Sequence, residues 1–227
     1  MKAIIFDLDG TLIDSAPDIH LACNAVLSDL GMGPVTLAQV RGFVGHGAGV
    51  LVQRLITAVG LPQTDHAAIL AAFLARYETA VHLTRLYPGV RGALDRLRGA
   101  GWQMGLCTNK PLAPTRAVLA HLGLVGDFAV VIGGDSLAQR KPDPAPLRAT
   151  LAGLGADRAL FVGDSEVDAE TAQRAALPFA LYTEGYRKTP IAQLPHDMAF
   201  SDFTALPDLA RQWCDGHVDR HDPRSVG

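Results

Sequence analysis

Five short apolar runs, each closing on a polar cluster or a turn, constrain this chain more than any other feature. KAIIFDL comes first, then WQMGLCT over 102–108, FAVVIGG over 128–134, ALFVGD over 159–164 and the weaker FALY over 179–182. A run without polar alternation belongs to a strand buried on both faces, the mark of a parallel sheet covered by helices. Helical stretches alternate with the runs: VRGALDRLRGAG, TRAVLAHLGL, PAPLRATLAGLGA and AETAQRAAL. The expected fold is α/β, a doubly wound and mostly parallel sheet with a Rossmann-like core. Ligands in such sheets sit beyond the carboxyl ends of the strands. Here those ends read DLDGT, TNK, GGDS and GDS, so one edge of the sheet is expected to carry the site.

The alternation breaks between Ser15 and Tyr87, where no strand is evident and PDIHLACNAVLSDLG, GAGVLVQRLITAVG and HAAILAAFLARYETAVH read as helices. A helical stretch of this length between the first two strands points to an inserted cap rather than a crossover. The expected organisation is a catalytic core of 1–14 and 86–214, a helical cap of 15–85 and a flexible tail of 215–227. Ser15, followed by Pro17 and Asp18, reads as a helix N-cap with an acid three residues on.

Several function classes are excluded. The net charge of −3 with no basic run gives nucleic acid nothing to bind. No stretch is long and apolar enough to span a membrane, and the early Asp7 and Asp9 do not fit a secretion signal, so the cytoplasm is the expected location. The three cysteines, Cys23, Cys107 and Cys214, lack disulfide or metal spacing. GHGAG is not preceded by a strand, and no GxxxxGK[ST] loop occurs, so nucleotide fingerprints are missing.

The chemistry begins with Asp7-Leu8-Asp9. Along a strand the two carboxylates share a face while Leu8 turns to the core. Gly10 permits a tight turn and Thr11 brings a hydroxyl nearby. A carboxylate is already ionised at neutral pH, so Asp7 is a nucleophile without an assisting base. Its obstacle against a phosphate ester is like charge, about 4 kcal/mol per unit pair near 4 Å at an effective dielectric of ~20. Two sources of positive charge are legible. Asp164, ending another buried strand, completes an oxygen set with Asp7 that suits Mg²⁺, and Asp168 is a further ligand or water holder. Lys141, one of only four lysines, stands in a loop before Pro142 and a helix start. Thr108 and Asn109 add hydroxyl and amide donors for phosphate oxygens, whereas Lys110 reads as a turn residue.

Taken together, FDLDGTLIDS, CTNK, the RKP lysine and GDSEVD resemble the four motifs of the haloacid dehalogenase superfamily, in the family's order. The resemblance implies that Asp7 is the nucleophile forming an aspartyl-phosphate and that Asp9 is general acid and then base. It implies a Mg²⁺ site of Asp7, the Asp9 carbonyl and Asp164, with Thr108, Asn109 and Lys141 around the phosphoryl group. Asp9 favours phosphoryl transfer over dehalogenation, because a halide leaves without a proton. The absence of lysine from the cap argues against Schiff-base cleavage of a carbon–phosphorus bond, and the cap lacks an evident motif for a mutase.

Within the superfamily, DSAPDI, VRGFVGHGAGVLVQRL, TNKP, VVIGGD and KPDPAPL are similar to the phosphoglycolate phosphatases. That likeness makes 2-phosphoglycolate the first substrate and a small phosphorylated metabolite the partner. Other sugar or amino-sugar phosphates and pyrophosphate stay open, as do a mutase and a receiver-type phospho-aspartate switch, the last disfavoured by the Asp7–Asp9 spacing and the helical insertion. Gly45, Gly47 and Gly49 around His46 suggest a helix start that could receive the substrate carboxylate, assisted by Arg41 and His46. A monomer or a homodimer fits equally.

Overall fold

The run Ala3–Phe6 forms β1, buried along its length, and its side chains divide by parity. Ile4 and Phe6 join an apolar cluster on one face, while Ala3 and Ile5 join a second cluster on the other. Two-sided burial of a continuous apolar run requires this division. The computed structural model describes residues 2–218. Beyond β1 the chain turns at Gly10, whose φ of +90° is the left-handed region that glycine enters without strain. Ile13–Asp14 (β2) then pairs antiparallel with Arg85–Leu86 (β3). The second of these falls inside the stretch expected to be free of strands, because two residues carry no readable period.

Between β2 and β3 lie four helices: α1 (Ala16–Asp29), α2 (Leu37–Phe43), α3 (Ala48–Val59) and α4 (His66–Tyr77). Their apolar faces meet one another in a separate cluster that includes Ile19, Leu27, Val40, Leu55 and Phe73. The short α2 was not evident in the sequence; Thr36 and Gln39 close its first turn with a capping box. Ser15 does occupy the N-cap of α1, yet its side chain makes no cap bond. The expected acid partner is engaged elsewhere. Asp18 accepts from the amides of Leu83 and Thr84 at 3.0 and 2.7 Å and from the Thr84 hydroxyl at 2.7 Å. The start of α1 is thereby fastened to the segment that leads back to β3.

After β3 the order is α5 (Val90–Gly99), β4 (Gln103–Cys107), α6 (Leu112–His121), β5 (Val130–Ile132), α7 (Ala145–Gly153), β6 (Leu160–Gly163), α8 (Glu166–Ala175), β7 (Phe179–Tyr182), β8 (Met198–Phe200) and α9 (Leu206–Val218). The sheet runs β5-β4-β1-β6-β7-β8, with every pairing parallel. α5 and α9 cover the Ile4 face, and α7 and α8 the Ile5 face. The chain fills β1, β4 and β5, then returns to lay β6 beside β1. The reversal between β1 and β6 is the place where a doubly wound sheet opens a crevice. β8 extends the expected sheet by one strand. The helix α9 runs past 215, where the flexible tail was expected to begin, and residues 219–227 of that tail lie outside the described residues. Among the described residues no helix is long and apolar enough to cross a membrane.

Candidate active site

Sheet register assembles the site. β1 and β6 pair Phe6 with Val162, and the Asp7 amide donates to the Val162 carbonyl at 2.9 Å. Asp7 and Asp164 therefore leave neighbouring strands side by side. On the other flank, Phe6 pairs with Leu106 of β4, which brings up Thr108 and Asn109 just past the strand. Lys141 enters from the loop between β5 and α7, followed by a cis bond to Pro142. All five of these residues are buried.

Carboxylate oxygens of Asp7, Asp164 and Asp168 lie within 4.8 Å of one another. Lys141 Nζ stands 2.9 Å from Asp7 Oδ1 and 2.6 Å from Asp168 Oδ1. Its approach to Asp7 is an ion-pair contact whose direction leaves that oxygen without a hydrogen bond. Burial, followed by the like charge of Asp168, pushes Asp7 up from 3.8 to about 7 against the pull of Lys141. Burial, then Asp168 and Asp7, raises Asp164 well above the carboxylate range, although Thr11 Oγ1 and the Tyr186 amide donate to it at 2.7 and 2.6 Å. Burial works against the Lys141 ammonium, but Asp168 and Asp7 outweigh it and hold the amine above its ordinary value.

Such a cluster is short of positive charge, since three buried carboxylates face one ammonium. The available donors are all carboxylate oxygens, the set a hard divalent cation such as Mg²⁺ prefers. Asp7 and Asp164 fit that purpose better than Asp168. The latter has Oδ1 on Lys141, while Oδ2 accepts from the Ser165 hydroxyl at 2.6 Å and its amide at 3.1 Å. Asp168 thus caps α8 through Ser165 and aims Lys141, the geometry of a residue acting behind the ligands.

Asp9 faces a different neighbourhood. Its Oδ1 accepts from the Ser15 hydroxyl at 2.5 Å and lies 3.2 Å from Lys110 Nζ. Ser15, read as a helix cap, is in place a donor to this carboxylate. Lys110, read as a turn residue, is 6% exposed and stands over the ring of Tyr77 at 4.2 Å while bonding its hydroxyl. Lysine and serine were both missed because their contacts depend on how α1 and α4 pack over the sheet edge. The only sequence signal was their closeness to the DLDGT and TNK clusters.

The glycine-rich loop divides the remaining expectations. Gly45 and Gly47 reach the site: the Asn109 amide donates to the Gly45 carbonyl at 3.0 Å, and also to that of Lys141 at 2.9 Å. A Cβ on Gly47 would meet the Asn109 carbonyl at 3.2 Å. Gly47 is the N-cap of α3, which starts at the cavity as expected. His46 lines the far side of the cavity beside Asp164 and Tyr186. Burial, then Arg54 and Lys188, lowers its pKa, so it is neutral at pH 7 and a weak partner for an anion. Arg41 is not brought to the site. Its guanidinium pairs at 2.9 Å with Asp14, which also accepts from the Tyr186 hydroxyl at 2.6 Å, and half of the arginine side chain is in solvent.

Comparison with known proteins agrees with this arrangement. Residues 4–182 match the model of the haloacid dehalogenase-like hydrolases. A protein of Cereibacter sphaeroides named phosphoglycolate phosphatase is 52% identical over 93% of this chain and 99% of its own length. One of the same name from Rhodobacter capsulatus is 53% identical over 93% of this chain and 97% of its own. Among solved structures, a predicted phosphoglycolate phosphatase from Haemophilus somnus superposes with a TM-score of 0.87 at 33% identity, covering 92% of this chain and 97% of that one. The four motifs, the sheet order that brings them together and these likenesses lead to one assignment: the chain belongs to the haloacid dehalogenase-like hydrolase family.

Proposed function

We propose that this protein is a Mg²⁺-dependent phosphatase that hydrolyses 2-phosphoglycolate to glycolate and phosphate through an aspartyl-phosphate on Asp7. The observation that carries the chemistry is a buried Asp7 with Lys141 2.9 Å away and Asp164 in the same oxygen cluster. The choice of substrate is supported by the name of relatives identical at about half of all positions over nearly the whole chain.

Asp7 attacks phosphorus, forming a bond from its carboxylate oxygen as the ester P–O bond breaks. Lys141 and Thr108 hold the phosphoryl oxygens during transfer, while the Asn109 side chain, bonded to the Gly45 and Lys141 carbonyls, braces the loop that carries the lysine. Asp9 gives its proton to the departing alcohol oxygen, so glycolate leaves neutral at that atom. In the second step Asp9 takes a proton from water, whose oxygen bonds to phosphorus as the Asp7 acyl-phosphate bond breaks. Ser15 and Lys110 keep the Asp9 carboxylate aimed in both directions. Asp7, Asp164 and the Asp9 carbonyl would hold Mg²⁺, which when bound supplies the positive charge that lets two anions meet. The cavity above Asp7 and Asp9 measures about 30 Å³, and displacement of the helical cap would widen it for substrate while its return would limit water.

Phosphate release measured over a panel of phosphomonoesters tests this. The expected result is Mg²⁺-dependent multiple turnover with the highest kcat/KM for 2-phosphoglycolate, and labelled phosphate trapped on the wild-type protein but not on Asp7→Asn. A better substrate elsewhere in the panel overturns the choice of ester, and turnover without an acyl-phosphate overturns the mechanism.

A further inference from the structure

The cavity above Asp7 and Asp9 is unequal in its walls. Ile19, Val44, Leu51 and Phe73 of the helical region give it an apolar side, and the charged residues lining it are Asp7, Asp9 and Lys110. Lys141, the other amine of the site, stands between Asp7 and Asp168 on the phosphoryl side and does not line this space. Lys110 is thus the cation on this flank of the cavity among the described residues, and Lys188 lies on the other. Its side chain is 3% exposed, and its ammonium has three donors, of which Asp9 and the Tyr77 hydroxyl take two.

We infer that Lys110 determines specificity by binding the carboxylate of the substrate, an assignment that rests on the phosphoglycolate reading above. Distance supports it. A carboxylate oxygen of 2-phosphoglycolate lies roughly 3 Å from the ester oxygen that Asp9 protonates, given ordinary bond lengths. Lys110 Nζ is 3.2 Å from the Asp9 carboxylate, so an acid group attached to the leaving alcohol arrives within reach of the amine. The helix α3 adds a second donor set on the same cavity. Gly47 and Ala48 line it, and no side chain caps the first amides of that helix. An alcohol without the acid finds the same apolar wall but leaves the third Lys110 donor and the α3 amides without an anionic partner. Tyr77, through its hydroxyl and ring, holds the amine in place from the cap side.

The rival position is the opposite flank, where Lys188 and His46 line the cavity next to Asp164. The test compares kcat/KM for 2-phosphoglycolate with that for 2-hydroxyethyl phosphate, which replaces the carboxylate by a neutral alcohol. The ratio, not either rate, is the readout, because Lys110 also touches Asp9. In Lys110→Met the ratio is expected to fall roughly 10- to 100-fold, the loss of one charged hydrogen bond. Lys110→Arg, which keeps the charge, is expected to recover most of it, and Lys188→Met to hold the ratio within about 3-fold. Should the methionine variant fail to fold, judged by its melting curve, Lys110→Gln is read in the same way. A ratio unchanged in Lys110→Met or Lys110→Gln overturns the inference and leaves Lys110 as a support for Asp9 alone. A ratio that collapses in Lys188→Met instead moves the acid to the other flank. Wild-type protein inert toward 2-phosphoglycolate is a separate failure, that of the substrate reading, and it shows before any variant is made.

Discussion

The two halves of the site are built by different means. On the sheet side, Asp7, Thr108 and Asp164 follow strands whose register is set by ladder bonds and by clusters buried on both faces. Packing there is close enough that a Cβ on Gly10 would come to 2.5 Å from the Asp164 carboxylate. On the helical side, α1–α4 have an apolar cluster of their own and meet the chemical groups through polar ties to loops. Gly45 to Asn109, Tyr77 to Lys110 and Ser15 to Asp9 are the ties at the site itself. Cores resist displacement because they are close-packed, whereas single hydrogen bonds are exchanged for water at a net cost of only about 1 kcal/mol. The acids and Lys110 on the sheet side are therefore held by close packing, and the helical side meets them through contacts that water can replace.

If that division is right, the sheet half should be intolerant and the helical half graded. Asp7→Asn is expected to bring phosphate release to background with the fold intact, checked by turnover and by circular dichroism; residual turnover beyond trace contamination would break the contrast at its root. Removal of Mg²⁺ by chelation should do the same. In addition, Mg²⁺ at 100 times its dissociation constant should stabilise the wild type by about 2.7 kcal/mol, measured by thermal or urea unfolding. That stabilisation should be largely lost in Asp164→Asn, and an equal effect in both proteins would place the ion elsewhere. Asp9→Asn should slow formation and breakdown of the acyl-phosphate by about 10²- to 10⁴-fold each, read by rapid quench. Ser15→Ala, which removes one donor to Asp9, should reduce kcat about 5-fold with little change in KM, in line with a net hydrogen bond near 1 kcal/mol. The smallest effect belongs to Arg41→Ala. Its exposed pair with Asp14 predicts a KM for 2-phosphoglycolate within about 2-fold of wild type, and a larger rise would return the arginine to the site.

The same division explains what was legible in the sequence. Asp7 and Asp164 could be read because an acid at the end of a continuous apolar run contradicts its surroundings, and such contradictions gather at sites. Lys141 could be read from its scarcity and its proline. The sheet was legible for the same reason the core is stable, since two-sided burial writes itself as unbroken apolar runs. Ser15 stands at the N-cap that S-x-x-D suggests, but its side-chain partner was not legible, because Asp9 lies on the far side of the Gly10 turn. Lys110 was passed over because no local pattern distinguishes a buried lysine from a turn lysine. In α9, Leu206, Ala210 and Trp213, four and three residues apart, are buried on the side that packs beside α5, a period hidden among polar neighbours. Arg41 shows the opposite error: a cation near a glycine loop looks like a ligand holder until its own acid partner is seen.

Asp18 has a mechanical consequence. By gripping Leu83 and Thr84 it clasps the outgoing and incoming strands of the polypeptide at one point. The four helices are thus not suspended on two independent tethers that can slide or twist past each other. Outgoing and returning chain form one joint, closed by Asp18 and by the β2–β3 pair, and that joint fixes the base from which Gly45 and Tyr77 reach Asn109 and Lys110.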